Sequence, residues 1–290
     1  MKGHFFKYIA GFIALFTLAS CEDVIQVKLD QGSPILTIDA FVNDMRQSQK
    51  VRLTYTDGYF SQKPNQPVSG ATVKVTDVTD GVTFNFTDNG NGDYVLPINP
   101  GDTIGRVGHT YRLDVLHQGI TYTSTTKLNR TAYIDSIDVK KDSAAFSNKK
   151  GYRCSFFGID PPGAVPDYYW VKSYRNNVFF GKGGEINITE NGGGGTGTDG
   201  LFFIPPVAEG ITPFGEYFQI GDVCRVEIHS ITKETFDFLT QVQAQTTNSG
   251  LFATTPENVK TNISTNSSKV KIVGWFSMSA VNWKEKTVTP

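Results

Sequence analysis

The chain has 290 residues, with 27 Lys plus Arg against 28 Asp plus Glu and a formal net charge of −1. No basic block is present to supply the electrostatic footprint that nucleic acid requires, so a nucleic-acid partner is excluded. Only 19% of residues are charged, while Gly, Thr, Asn, Val, Phe and Tyr are abundant, a balance that favours strands and turns over helices.

Residues 1–20 read as an export signal. Lys2 and Lys7 accompany an apolar run over 9–18, shorter than the roughly 20 residues a membrane-spanning helix needs. Leu18-Ala19-Ser20-Cys21 resembles the lipobox of bacterial lipoproteins, which implies cleavage before Cys21 and lipidation of its thiol and new amino group. Each buried methylene gives about 0.8 kcal/mol, so acyl chains on Cys21 hold the protein at a membrane without any polypeptide entering it. Glu22-Asp23 resembles the acidic signal behind the lipidated cysteine in some surface lipoproteins of the Bacteroidota. The expected location is therefore the outer membrane, surface-exposed, with a periplasm-facing orientation as the alternative. Residues 21–32 form a tether.

Period-two alternation follows. Leu36, Ile38, Ala40 and Val42 share one face, and so do Val51, Leu53 and Tyr55. A loop over 58–67 carries Tyr59 and Phe60. Further alternating runs contain Ala71, Val73 and Val75; Val82, Phe84 and Phe86; Tyr94, Leu96 and Ile98; Tyr111, Leu113 and Val115; Ile120 and Tyr122. Asp80-Gly81, Asn89-Gly90, Asn91-Gly92, Pro100-Gly101 and Gln118-Gly119 mark the turns between them. This regular succession of short strands predicts an immunoglobulin-like antiparallel β-sandwich over 33–128.

After a seam at 128–133, strands are predicted over 153–159, 168–174, 201–204, 223–231 and 270–278. Pro- and Gly-rich loops separate them. Thr232 can cap a helix over 233–245, with Glu234 in the first turn and Phe236, Leu239 and Val242 on one side. The predicted fold is thus mainly β: the N-terminal sandwich, then a second β-rich unit over 129–290 with one packed α-helix.

Few residues point to chemistry. Cys21 is claimed by lipid. Cys154 and Cys224 lie in apolar strand-like runs of an exported chain, where they form a disulfide between two strands or remain two buried thiols. Gly195-Thr196-Gly197-Thr198-Asp199-Gly200 has the spacing of a dinucleotide fingerprint, but a strand-like run follows it where a helix is required, and it reads as a hairpin tip. The stretch from Asp88 to Asp93 alternates oxygen side chains without the closing Glu and flanking helices of a calcium loop. It reads as a tight turn, with a weak calcium site as the alternative. His109 and His117 fall on one face of a predicted strand, roughly 26 Å apart at about 3.3 Å per residue, too far to share a metal. His229 stands alone. No paired Cys/His spacing and no Gly-x-Ser-x-Gly elbow occur, so no catalytic residue, metal or cofactor is assigned. Tyr168, Tyr169, Trp170, Tyr174, Phe179 and Phe180 are read as core in preference to a sugar-stacking platform. The loop aromatics Tyr59, Phe60, Phe214 and Tyr217 are the candidates for a contact surface, because Gly and Pro around them place them outside regular strands.

Several short pieces recur together in order. They are Cys21-Glu22-Asp23-Val24-Ile25, Pro67-Val68-Ser69-Gly70-Ala71-Thr72-Val73, Gly90-Asn91-Gly92-Asp93-Tyr94 and Gly108-His109-Thr110-Tyr111-Arg112-Leu113. Downstream come Thr235-Phe236-Asp237-Phe238-Leu239, Pro256-Glu257-Asn258-Val259 and Gly274-Trp275-Phe276. As an ordered set over essentially the whole mature chain, they resemble the Bacteroidota outer-membrane lipoproteins called domain of unknown function 4249. The resemblance implies a two-part β-rich lipoprotein, often encoded beside TonB-dependent outer-membrane receptors, and it transfers no catalytic residues. The expectation is a non-catalytic accessory partner of such a receptor in nutrient capture or uptake. A stand-alone surface glycan- or peptide-binding lipoprotein is the alternative, and a hydrolase with dispersed residues is a third reading.

Overall fold

A computed structural model describes residues 32–58, 61, 63–99, 101–143, 150–163, 166–191, 200–248 and 257–290. The expected export signal, Cys21 and the expected tether up to 31, Tyr59, Phe60 and the 195–199 part of the glycine-rich stretch lie outside the described residues.

The first seven strands are β1 (Leu36–Asn43), β2 (Gln49–Tyr55), β3 (Thr72–Asp77), β4 (Val82–Asp88), β5 (Asp93–Leu96), β6 (Thr110–His117) and β7 (Ile120–Lys127). Their alternation follows the sequence. Leu36, Ile38, Ala40 and Val42 of β1 are buried, while Thr37, Asp39 and Phe41 point the other way. The strands bond in the order β7-β6-β3-β4-β5-β2-β1. Within β4, the residues from Val82 to Phe86 pair with β3, and Thr87 and Asp88 pair with β5. The two halves of the sheet thereby meet across one core that includes Ile38, Leu53, Val75, Tyr94 and Leu113. The fully buried Tyr94 donates its hydroxyl to the Val68 carbonyl (3.1 Å) and accepts the Ala71 amide (3.0 Å), which ties the entry to β3 into that core.

Between β4 and β5, Asp88 accepts the amides of Gly70 (2.7 Å) and Gly90 (2.8 Å), and Asn91 accepts that of Asp93 (3.0 Å). Gly90 and Gly92 take φ of 79° and 84°, which side chains adopt poorly. Asp88 and Asn91 thus use their oxygens on backbone amides, while the Asp93 carboxylate pairs with Arg52 at 2.9 Å and Lys50 at 3.5 Å.

Beyond the seam lie β8 (Tyr133–Ser143), β9 (Lys150–Ile159), β10 (Asp167–Arg175), β11 (Val178–Phe179), a 3-10 turn (Gly183–Glu185) and β12 (Asn187–Asn191). Helix α1 (Pro205–Glu209), β13 (Val223–Ile231), helix α2 (Lys233–Thr246), β14 (Ser264–Thr265), β15 (Ile272–Ser279) and β16 (Val281–Thr287) complete the described elements. Strands β8 and β9 form a hairpin, and a five-stranded sheet runs β11-β10-β13-β16 with β12 also on β10. Cys154 and Phe156 of β9 pack with Tyr169 and Val171 of β10, with Cys224, Val226 and Ile228 of β13, and with Phe218. The two cysteines meet in this second core as buried free thiols. Their mutual hydrogen bond, together with burial, pushes the Cys224 thiol well above the usual range.

Helix α2 starts where the sequence places it, with Thr232 Oγ1 accepting the Thr235 amide at 3.2 Å. The 201–204 segment departs from expectation. Phe202 makes one isolated bridge to Ile159, and Pro205 opens α1, since proline lacks the amide a strand ladder needs and suits a first helical turn. No helix among the described residues is long and apolar enough to cross a membrane.

The division at 128/129 holds only for the outgoing chain. Strand β14 pairs with β7, and β15 lies parallel to β1 from Leu36↔Ile272 to Asn43↔Ser279, so a segment assigned by sequence to the second unit supplies both edges of the first sheet. The expected antiparallel sandwich therefore contains a parallel pair. Phe276, Met278 and Ala280 complete the first core, which is what draws this segment back. Past Ala280 the same run continues as β16 in the other sheet. The Ala280 amide bonds Ser230 Oγ and its carbonyl takes the Ser230 amide, both at 2.9 Å. Asp44 bonds on either side, accepting the Val281 amide at 2.9 Å and giving its own amide to Ser279 at 3.0 Å. Residues 34–57 and 62–290 form one compact unit.

At Gly274 the backbone of β15 lies against that of β1 with no room for a side chain. It has φ +120°, and a Cβ there would collide with the Ile38 carbonyl and sit 2.7 Å from the Ile38 amide nitrogen. Gly274→Ala is expected to destabilise by about 3 kcal/mol or more in denaturant unfolding, through backbone clash plus strain. Gly81→Ala, also at positive φ (+75°) but facing open space, should cost only about 1 kcal/mol.

Candidate functional site

Alternation in β10 sends Tyr169 and Val171 into the second core and turns Trp170, Lys172 and Tyr174 to the opposite face. Across that face the register sets Trp170 beside His229, Lys172 beside Glu227 and then Trp283, and Tyr174 beside Arg225 and then Glu285. The buried Glu227 is the hub of these rows. Its Oε2 accepts the Tyr174 hydroxyl (3.0 Å) and lies 2.9 Å from His229 Nε2, and its Oε1 pairs with an Arg225 guanidinium nitrogen at 2.7 Å. The Arg225 guanidinium also lies 4.3 Å from the Trp283 ring centroid, and Lys172 Nζ lies 3.9 Å from that of Trp170.

Burial decides the charge states. It lowers Lys172 to about 8, although Glu227 and Asp39 pull the other way. Burial and the nearby Lys172 charge lower His229 to about 4 against the attraction of Glu227. Burial alone would raise Glu227, but hydrogen bonds and charge from His229, Arg225 and Tyr174 outweigh it and hold the carboxyl below its ordinary range.

Next to this face, the outward side chains of β1 and β15 and one side of α2 enclose a recess of about 370 Å³. Phe41, Trp170, Phe179, Phe238 and Trp275 supply its aromatic walls, and Thr37 and Asp39 line it from one strand. Phe238 and Trp275 stack at 4.4 Å between centroids, while Trp170 meets Phe41 edge-on at 5.3 Å and Phe179 at 6.4 Å. Thr37 Oγ1 is buried with no hydrogen-bond partner among the described residues. Desolvation raises the Asp39 carboxyl above its usual range, with Lys172 the foremost opposing charge.

The loop aromatics singled out from sequence as contact residues do not converge here. Phe214 is 84% exposed and lines a separate open cavity of about 700 Å³ beside Arg153, Lys182 and Glu209. Tyr217 is no contact-loop side chain: it is buried. The adjacent Phe218 exchanges both backbone hydrogen bonds with Tyr152, and this presses Tyr217 onto Gly151, where an added Cβ would come within 2.6 Å of the tyrosine's own. The aromatic run divides by strand alternation. Tyr169 is core, Tyr168 packs under α2, Trp170 and Phe180 line the recess, and Phe179 is 40% exposed at its edge. His117 Nε2 bonds the Tyr55 hydroxyl at 2.9 Å, and His109 Nδ1 bonds Asp77 at 2.8 Å. Asp77, Asp80 and His109 converge, but Arg106 already bonds Asp80 at 2.7 Å. Sequence reading missed Asp39, Phe41, Lys172, Glu227 and Trp275. For Glu227 the available signal was the alternation of Arg225, Glu227 and His229 with apolar residues in one strand.

His229 carries a depressed pKa, so between pH 6.5 and 4 the unfolded chain binds a proton that the folded chain refuses. Stability should therefore fall by about 1–3 kcal/mol on acidification through that window, and His229→Gln should flatten the slope in urea titrations at several pH values. Glu227→Ala strands the partly buried Arg225 charge and is expected to cost about 2–3 kcal/mol at pH 7 in the same assay.

No curated protein matches the chain. The family model described as "Domain of unknown function (DUF4249)" matches residues 22–285, and by this match over most of its length the chain belongs to that family.

Proposed function

We propose that the mature protein is a non-catalytic binding lipoprotein, held at the outer membrane by lipid on Cys21 and facing the cell surface, where it assists a TonB-dependent receptor in nutrient capture or uptake. The observation that carries this is the Leu18-Ala19-Ser20-Cys21 lipobox with Glu22-Asp23 behind it, placed a short tether before the first strand. A membrane-bound β-rich module with an aromatic recess suits capture and hand-over. The titratable groups beside the recess also support a non-catalytic role. His229, Tyr174 and Arg225 are all engaged with Glu227, and His229 is 4% exposed, out of reach of a substrate. The aromatic recess favours one second reading, a surface lipoprotein that binds glycan or peptide without a receptor.

Cys21→Ala is expected to abolish lipid labelling and shift the protein from the membrane to the soluble fraction. Affinity isolation of the native protein from detergent-solubilised membranes is expected to recover a TonB-dependent receptor. Recovery of no outer-membrane barrel under mild detergent would refute the receptor partnership, and persistence of Cys21→Ala in the membrane would refute the anchor.

A further inference from the structure

We propose that the recess between β1, β10, β15 and α2 binds an apolar organic molecule carrying a primary or secondary ammonium group. This deepens the binding role above by naming its ligand class, and it rests on the recess itself and not on the membrane partner.

Size and lining set the apolar part. About 370 Å³ lies in the range of small-molecule sites, and the walls are the rings of Phe41, Trp170, Phe179, Phe238 and Trp275. Such rings accept both an apolar body and, on their faces, a cation.

Two acceptors set the polar part. Thr37 and Asp39 are separated by one residue on β1, so their side chains leave the same face about 7 Å apart. The Thr37 hydroxyl is buried without a partner, and the Asp39 carboxylate makes no hydrogen bond or ion pair with any described residue. The cross-strand neighbour of Asp39 is Arg52, but that guanidinium bonds Asp93 at 2.9 Å instead. Asp39 is thus an accessible carboxylate in a surround that desolvates it, lacking the donor that would offset the cost. A ligand N–H supplies one.

The charge of the lining selects a cation. Asp39 and Glu185 are its charged residues, and no Lys, Arg or His is among them. Glu185 already accepts the Lys182 amide at 3.0 Å, which leaves Asp39 as the free anion. Lys172 stands behind Trp170 with Glu227 as its foremost counter-charge and does not line the recess. A carboxylate ligand would meet the Asp39 carboxylate with no Lys, Arg or His in the lining to receive it. A quaternary ammonium would have no N–H for Thr37 or Asp39.

Two of the three tryptophans, Trp170 and Trp275, line the recess, so intrinsic fluorescence reports on its occupancy. The test titrates the full-length protein in non-ionic detergent with phenylbutylamine, phenylbutanol and phenylbutyrate, which share one apolar body. Saturation-transfer NMR provides a second readout. Phenylbutylamine is expected to bind saturably, the alcohol about tenfold more weakly and the carboxylate more weakly still. Asp39→Asn should weaken the amine about tenfold and leave the alcohol unchanged. This variant removes a carboxylate with no partner, so its melting temperature should equal or exceed that of the native protein. If it does not fold, Thr37→Val takes its place, with a several-fold loss of amine binding expected. Carboxylate binding as tight as the amine, equal amine affinity in native and variant protein, or no saturable binding by any of the three overturns the proposal. None of these outcomes bears on recovery of a receptor from membranes, so the two readings fail separately.

Discussion

The run from Ile272 to Thr287 is the constraint on which the rest of the architecture depends. Its first half is the parallel partner of β1, and its second half is the edge of the five-stranded sheet beside β13. One extended segment therefore belongs to two hydrogen-bond ladders, and the residue between them, Ala280, is fastened through both backbone groups to Ser230. Ladder bonds are individually modest in water, but each sheet's pairing holds the other's register, because a slip of one residue would turn every side chain of the strand to the wrong face. Phe276 and Met278 would leave the first core at the same moment as Trp283 left Arg225.

The recess follows from that arrangement. It exists because β15 brings Trp275 alongside Asp39 in the first sheet, while β16, a few residues on, keeps the β10–β13 face in place. Helix α2 roofs the space with Phe238, Leu239 and Val242. The Thr235 hydroxyl, in the first turn of the helix, accepts the Trp275 indole N–H at 3.0 Å, which fixes both the helix and one wall. The charged rows behind the recess close on themselves around Glu227, where three donors meet one carboxylate. These bonds hold Glu227 in one packing, with Arg225 Nε buried and without a partner among the described residues, and Asp39 stays exposed at the recess.

Legibility in the sequence tracked how local each feature is. The strands over 36–43 and 223–231 and the helix from 233 were readable, since alternation, caps and turn glycines act between residues a few positions apart. The strand expected over 201–204 was not one, because two prolines immediately downstream overrode an apolar run. Tyr217 looked like a loop side chain and proved buried, because its neighbour bridges to Tyr152, 66 positions earlier. The recess was invisible for the same reason. Asp39, Trp170, Phe238 and Trp275 span most of the chain, and nothing in their local contexts says that they meet.

By itself, the sequence determined that the protein is built mainly of β-strands and where most of those strands begin and end, and its first 21 residues resemble an export signal with a lipobox. Composition and short-range periodicity settle such matters, since they depend on the backbone's two-residue repeat and on the chemistry of single turns. Only the tertiary structure decided that the last strands return to the first sheet, that Cys154 and Cys224 face each other as thiols in one core, and that an unpaired carboxylate sits among aromatic rings. Those outcomes rest on which apolar faces cover which, a choice made between segments hundreds of residues apart by the burial of area that no local pattern records.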